Sequence, residues 1–237
     1  MGLTIHYHLN APAATDAAQA LKLVRAMRRR AQGFAQRGRV GRVLPIRDDA
    51  ELLRWARQWR FVPHPHRRDL KSEVEIAPEA GWLFETDVGE DCEPLRLGLC
   101  RYPRTVVLAD RRHRTHLPGW RYAGFAKTQF ASVHGWEHFR RCHTAVTDLV
   151  AGLRRLGLDV SISDEGGYWP GRRLDLLRQN LDEMNGVVAA AAGALRDMDP
   201  DGAVESRIFQ HPLFERLEAA GAGLNPALEK LVAAVKR

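Results

Sequence analysis

WRYAGFAK at 120–127, EHFRRCHTAVTDLVAGLRRLG at 137–157 and LDVSISDEGGYW at 158–169 are read together as strand, helix and strand. The first strand closes on Lys127-Thr128-Gln129 and the second on Asp164-Glu165. Laid parallel in one sheet, the two strands bring both polar clusters to the same edge, where α/β crossovers carry ligand sites. This unit decides the fold and suggests where a site should lie.

The segments before it supply the rest of a sheet. Leu3/Ile5/Tyr7/Leu9 alternate with Thr4/His6/His8, the period of a half-buried strand. Asp16 to Ala31 has a helical stripe through Ala17, Leu21, Val24 and Ala31, with Arg28-Arg29-Arg30 expected in its last turn, against the negative helix end. Val40 to Ile46 follows as a strand, which makes the opening a second candidate βαβ unit. Asp48-Asp49 are expected to cap a helix running to Trp59, and the two prolines of FVPHPHRR (61–68) to preclude regular structure. From Glu73 to Thr128 the runs VEIA, GWLFETDV, LRLGLCRY, TVVLA and GWRYAGFAK read as antiparallel strands, with a basic loop at Asp110–Pro118.

Beyond the central unit, Leu174, Leu177, Leu181, Met184, Val188, Ala191 and Leu195 alternate spacings of three and four. That pattern favours a core helix lying across the sheet, and three heptads barely suffice for a coiled coil. Asp199-Pro200-Asp201-Gly202 stops it, and Ala203–Arg237 reads as short helices, the last capped by Asn225-Pro226. The expected fold is α+β: a mixed, mostly antiparallel sheet with one or two βαβ units, helices on one face and a C-terminal helical appendage. The α+β domain is assigned to 1–198 and the appendage, packed on it, to 199–237.

Composition narrows the class. The net charge of +7 is carried by 31 Arg against 5 Lys, a ratio that resembles base-composition bias as much as a nucleic-acid patch. Three cysteines without a CxxC pair argue against a disulfide framework or a four-thiolate zinc site. MGLTIHYHL has neither the layout of a secretory signal nor, with His6 where Ser or Thr is needed, a myristoylation motif. No run approaches a membrane span. A cytoplasmic protein is expected.

Several constellations could carry chemistry. In the helix after Gly135 the apolar stripe is Phe139, Cys142, Val146, Leu149, Val150 and Leu153. His138 and His143 flank it about 140° apart at 100° per residue, too far to share an ion. His134 and His138 could pair, but Gly135 stands where the helix must start, and there is no HExxH. His143 singly is a candidate acid or base. Lys127 is a rare lysine where Arg is the habitual cation, with Gln129 projecting to the same side. Asp164 and Glu165 could bind Mg²⁺ or move protons, and Tyr168 and Trp169 could stack on a ring. Arg172 and Arg173 are near enough in sequence to pair with these acids. Cys92 and Cys100 read as structural, lacking a base nearby in sequence. Phe125 occupies the position where a PD-(D/E)xK nuclease needs an acid, and neither GxxxxGK[ST] nor GxGxxG occurs.

The blocks MGLTIHY (1–7), GFAKTQFAS (124–132), HFRRCH (138–143) and SDEGGYW (163–169) together resemble a family of uncharacterised bacterial proteins that open MGLTIHY and carry KTQ-, RCH- and DEGxYW-like blocks in this order. The resemblance spans roughly Met1 to Asn185 and brings no activity with it. In that family Cys often stands at the position of Ala126 and Tyr at that of Phe130, a departure that argues against a required thiol at 126.

The functional expectation is an enzyme, a hydrolase or transferase acting on a small anionic, phosphorylated or nucleotide-like substrate. Its catalytic residues are Lys127, His143, Asp164 and Glu165, with Gln129, Tyr168, Trp169 and Arg172 contacting substrate and Mg²⁺ a candidate cofactor. The rival reading is a basic nucleic-acid-binding protein using Arg67/Arg68 and Arg111/Arg112/Arg114 in loops that straddle phosphates. A third is a partner-binding scaffold that uses the Leu174–Leu195 seam.

Overall fold

Strand β1 (Thr4–Asn10) buries Ile5, Tyr7 and Leu9 on one side and leaves His6 and His8 exposed on the other. Period-two alternation makes it a strand with two different faces, and it becomes the second strand of the main sheet. The computed structural model describes residues 3–63, 71–108, 110–198 and 205–222.

In chain order β1 is followed by α1 (Ala17–Gln36), β2 (Val43–Ile46), α2 (Asp49–Ala56), β3 (Gln58–Pro63), β4 (Lys71–Ile76), β5 (Ala80–Thr86) and β6 (Leu95–Arg101). Then come β7 (Thr105–Leu108), β8 (Arg111–Arg114), β9 (Trp120–Lys127), a 3-10 turn (Gln129–His134), α3 (Trp136–Ala151), β10 (Asp159–Asp164), α4 (Leu174–Met198) and α5 (Phe214–Ala222). Six strands form the main sheet in the order β10-β1-β9-β6-β5-β2, and every adjacent pair is antiparallel. The hairpins β3–β4 and β7–β8 stand outside it.

The fold is α+β, as the sequence implies. Both β10 and β9 run antiparallel to β1, so they point the same way with β1 between them. The α3 crossover is therefore a split βαβ unit. The β1–α1–β2 connection is split more widely, with three strands between its ends. Long helices α1 and α3 cover the face that carries Ile5, Tyr7 and Leu9, and together they enclose the core. The short α2 lies over the opposite face, where Trp55 sits on Arg96 of β6.

Local expectations shift at three places. Helix α1, opened by an Asp16–Gln19 capping box, runs past Gly33 to Gln36, so Arg28–Arg30 lie inside it and not against its end. Helix α2 stops at Ala56, and Trp59 and Phe61–Pro63 belong to strand β3. Proline tolerates the end of an edge strand, which is where Pro63 falls. Arg111, Arg112 and Arg114 are not in a loop: they are exposed on β8, paired with β7. Arg67/Arg68, the Asp199–Gly202 stop and Asn225-Pro226 lie outside the described residues.

Strands β6 and β9 are in register only at Cys100↔Arg121 and Arg101↔Trp120, and then separate. The Tyr7 ring crosses Gly124, where a Cβ would stand 2.6 Å from the hydroxyl, and its O–H donates to the Arg96 carbonyl. The ladder partner that this carbonyl lacks is thus replaced by a side chain.

Helix α4 buries Leu177, Leu181, Asn185, Ala189 and Ala192, while Leu174 and Leu195, the ends of the expected seam, are exposed. Its first half joins the main core. Its second half forms a small core of its own with Ile208 and Phe214 of the C-terminal segment. No described helix is long and apolar enough to cross a membrane.

Candidate functional site

Leu3 and Thr4, Thr128 and Gln129, His143, and Asp164 and Glu165 meet where β1 begins and β9 and β10 end. Ile5 lies between Ala126 and Asp164 in register, and α3 brings His143 over that junction. Alternation then sorts the candidate residues onto two sides of the sheet.

On the helix side, His143 is fully buried between two partners: its Nδ1 is 2.8 Å from Thr128 Oγ1 and its Nε2 3.0 Å from Asp164 Oδ1. Asp164 also accepts from the backbone N–H of Gly166 at 2.7 Å and of Trp169 at 2.9 Å. Burial pushes the Asp164 carboxyl up, but the His143 bond and charge and the two backbone donors outweigh it, so the net displacement is downward. The carboxylate therefore stays ionised, organises the Glu165–Trp169 turn, and requires Nε2 of His143 to carry a proton. With Thr128 also fully buried, no substrate reaches this trio. Gln129 is buried as well: its Oε1 accepts from Leu3 N–H at 3.1 Å and its Nε2 donates to Asn185 Oδ1 at 3.0 Å. Asn185 Nδ2 in turn donates to Ser132 Oγ at 3.0 Å. Gln129, His143 and Asp164 hold the fold together.

On the opposite side, Lys127, Thr4 and Glu165 stand in line across three strands. Glu165 accepts from Thr4 N–H at 2.9 Å and lies 3.5 Å from His6 Nε2. Lys127 has no side-chain partner among the described residues; its backbone N–H is held by Glu93 Oε2 at 3.2 Å. Lys127 and Glu165 thus share an end of the sheet, as the direction of β9 and β10 implies. Asp164 and Glu165 face opposite ways and cannot chelate one Mg²⁺, and the Asp164 oxygens are already engaged by His143, Gly166 and Trp169.

Tyr168 is buried, edge-on to His143. Trp169 is half-exposed between Arg154 and Arg172, whose guanidinium carbons lie 5.3 and 5.8 Å from its ring centre. Arg172 pairs with Asp148 at 2.7 Å and Arg173 with Asp175, so neither neutralises Asp164 or Glu165.

The same face carries a groove of about 640 Å³ that sequence reasoning missed. It runs between β1 and β9 below and α2 and β3 above, and His6, His8, Arg57, Trp59, Arg96 and Phe125 line it. Trp59 and Phe125 expose about half of their surface, 56% and 47%, which leaves their rings free to stack. Arg57 pairs with Glu75 at 2.7 Å and Arg96 with Glu85, outside the lining, at 3.4 Å, which leaves Arg54 without a carboxylate partner among the described residues. The His8 imidazole is held below its ordinary value, first by partial burial and then by the charges of Arg121, Arg60 and His6. The exposed alternation of His6 and His8 was the available signal, but the groove exists only because α2 and β3 fold over it.

No family model, curated protein or solved structure matches the chain.

Proposed function

We propose that the chain binds a small nucleotide-like anion in the groove over β1 and β9 and acts on it as a hydrolase or transferase. The observation that carries this reading is the meeting, in one groove, of three guanidinium groups, two exposed rings and a histidine pair. Guanidinium forks suit phosphate oxygens, and aromatic faces suit a base. His6 and His8 are two residues apart on one strand, roughly 6.6 Å at the usual rise, which spans a phosphoryl group. His8, kept neutral by its surroundings, accepts the proton of the attacking water or hydroxyl. His6, beside the Glu165 carboxylate, gives one to the leaving oxygen. Lys127, two residues beyond Phe125 on the same face of β9, attracts the anion. In this reading Asp164, His143 and Gln129 position the site and do not touch substrate.

Titration with mono- and dinucleotides, followed by tryptophan fluorescence and calorimetry, tests it. Binding should be saturable, weakened about tenfold or more in Arg57→Ala, and retained in His8→Ala, which should lose turnover of a phosphodiester substrate. Absence of binding at millimolar nucleotide removes the proposal. A second reading, nucleic-acid binding, draws support from exposed Arg111, Arg112 and Arg114 on one strand. It requires oligonucleotides to bind more tightly than nucleotides, with a salt slope that the triple alanine variant flattens.

A further inference from the structure

Two of the three cysteines, fifty residues apart in sequence, come together outside the groove. Helix α3 presents Cys142 to the Gly89–Cys92 turn, and a Cβ on Gly89 would stand 2.6 Å from Cys142 Sγ. The turn closes through Cys92 N–H to the Gly89 carbonyl at 3.1 Å, which brings the Cys92 side chain beside the Cys142 thiol. His138 Nε2 lies 3.7 Å from Cys142 Sγ, and His138 Nδ1 is held by Arg141 at 2.9 Å. Cys92 is partly exposed and Cys142 buried behind it, and both are free thiols. Cys100 is buried in β6, in contact with Gly81.

We propose that Cys92 and Cys142 form a peroxide-sensitive dithiol that closes to a disulfide between the β5–β6 connection and α3. The Cys92 hydrogen bond holds the Cys142 thiol down; burial opposes this, and the Arg141 charge and hydrogen bond reinforce it. The same bond, burial and the nearby Asp87 and Asp91 push Cys92 up, so Cys92 keeps the proton of the pair. Hydrogen peroxide, little larger than water, enters past Cys92. The Cys142 thiolate attacks one peroxide oxygen, the O–O bond breaks and hydroxide leaves, giving a sulfenic acid. Cys92 sulfur then attacks the Cys142 sulfur. The S–S bond forms, the S–O bond breaks, and the departing oxygen leaves as water with the Cys92 proton. Two electrons pass from the sulfurs to peroxide, and solvent neutralises the hydroxide. The neighbouring residue, Glu93, holds the backbone of Lys127, so the bridge closes next to the chain that clasps the end of β9.

Reduced protein treated with stoichiometric hydrogen peroxide and then unfolded should titrate one thiol in place of three, lose about 2 Da, and yield a Cys92–Cys142 peptide. Its melting temperature should rise on oxidation, as expected when a long loop is closed. Cys92→Ser changes the partly exposed partner and so should still fold; it should form no bridge and should accumulate a dimedone-reactive sulfenic acid at Cys142. Three titratable thiols after peroxide would overturn the proposal. So would over-oxidation of Cys92 alone, or a stoichiometric zinc ion in the reduced protein that blocks the reaction.

Discussion

Asp164→Asn keeps the shape of the side chain and removes its charge, and the surroundings of Asp164 fix what that costs. The carboxylate accepts three hydrogen bonds, from His143 Nε2, Gly166 N–H and Trp169 N–H. An asparagine has one acceptor oxygen, which can serve His143 and Gly166. Its NH₂ group then faces the Trp169 N–H, donor against donor. A buried donor without a partner costs about 1–3 kcal/mol, and the two surviving bonds lose their charge-assisted share, roughly 1 kcal/mol each. The sum is about 3–5 kcal/mol. For a chain of this length that is roughly 6–20 °C in Tm. The pH dependence follows from the downward displacement of Asp164. Its stabilisation is complete above the unfolded carboxyl value of about 4 and is lost as the pH falls through the lower folded value. Urea unfolding of the wild type should therefore weaken below about pH 4 more steeply than that of the variant. A variant within about 0.5 kcal/mol of wild type at pH 7, with the same acid limb, would refute the reasoning.

Other substitutions test the separation of the two sides of the sheet. Glu165→Gln should cost under about 1 kcal/mol, because the group is half-exposed and Gln can still accept from Thr4 N–H; thermal melts beside those of Asp164→Asn check the contrast. His143→Ala should lose about 2–4 kcal/mol, since it empties a fully buried site and takes one of three hydrogen bonds from the Asp164 carboxylate. His134→Ala, an exposed partner of Asp91 at 2.8 Å, should lose under about 1 kcal/mol in the same denaturation series. Tyr7→Phe leaves the Arg96 carbonyl without its donor and should cost about 1–3 kcal/mol. Gly124→Ala, which drives a methyl into Tyr7, should cost a comparable amount in the same urea experiments.

The sheet was legible where one face is dry. Ile5/Tyr7/Leu9 and the apolar stripe of α3 announce themselves by period, and strand direction then brings Lys127 and Glu165 to one end. What the sequence conceals is the side to which each candidate turns, because adjacent residues of a strand face opposite ways. Asp164 and Glu165 look like a pair and are separated by the thickness of the sheet. The groove was hidden for a related reason. Trp59 fits a helical stripe after Leu52 and Trp55, but the helix ends at Ala56 and Trp59 comes to rest on β3. The Cys92–Cys142 contact leaves no local trace, since fifty residues separate partners that only the packing of α3 against the Gly89–Cys92 turn unites.

The buried Gln129–Asn185–Ser132 chain of hydrogen bonds has a bearing on uniqueness as well as cohesion. Helix α4 offers apolar residues every three or four positions, and such a seam can slip by one turn, about 5.4 Å, and still cover leucine with leucine. A slipped helix would leave the Asn185 amide in the apolar core and Gln129 without its acceptor. Only one alignment satisfies all three side chains. The polar trio therefore acts as a key that rejects the neighbouring registers of α4, a role in which its net contribution to stability matters less than the penalty it imposes on every alternative.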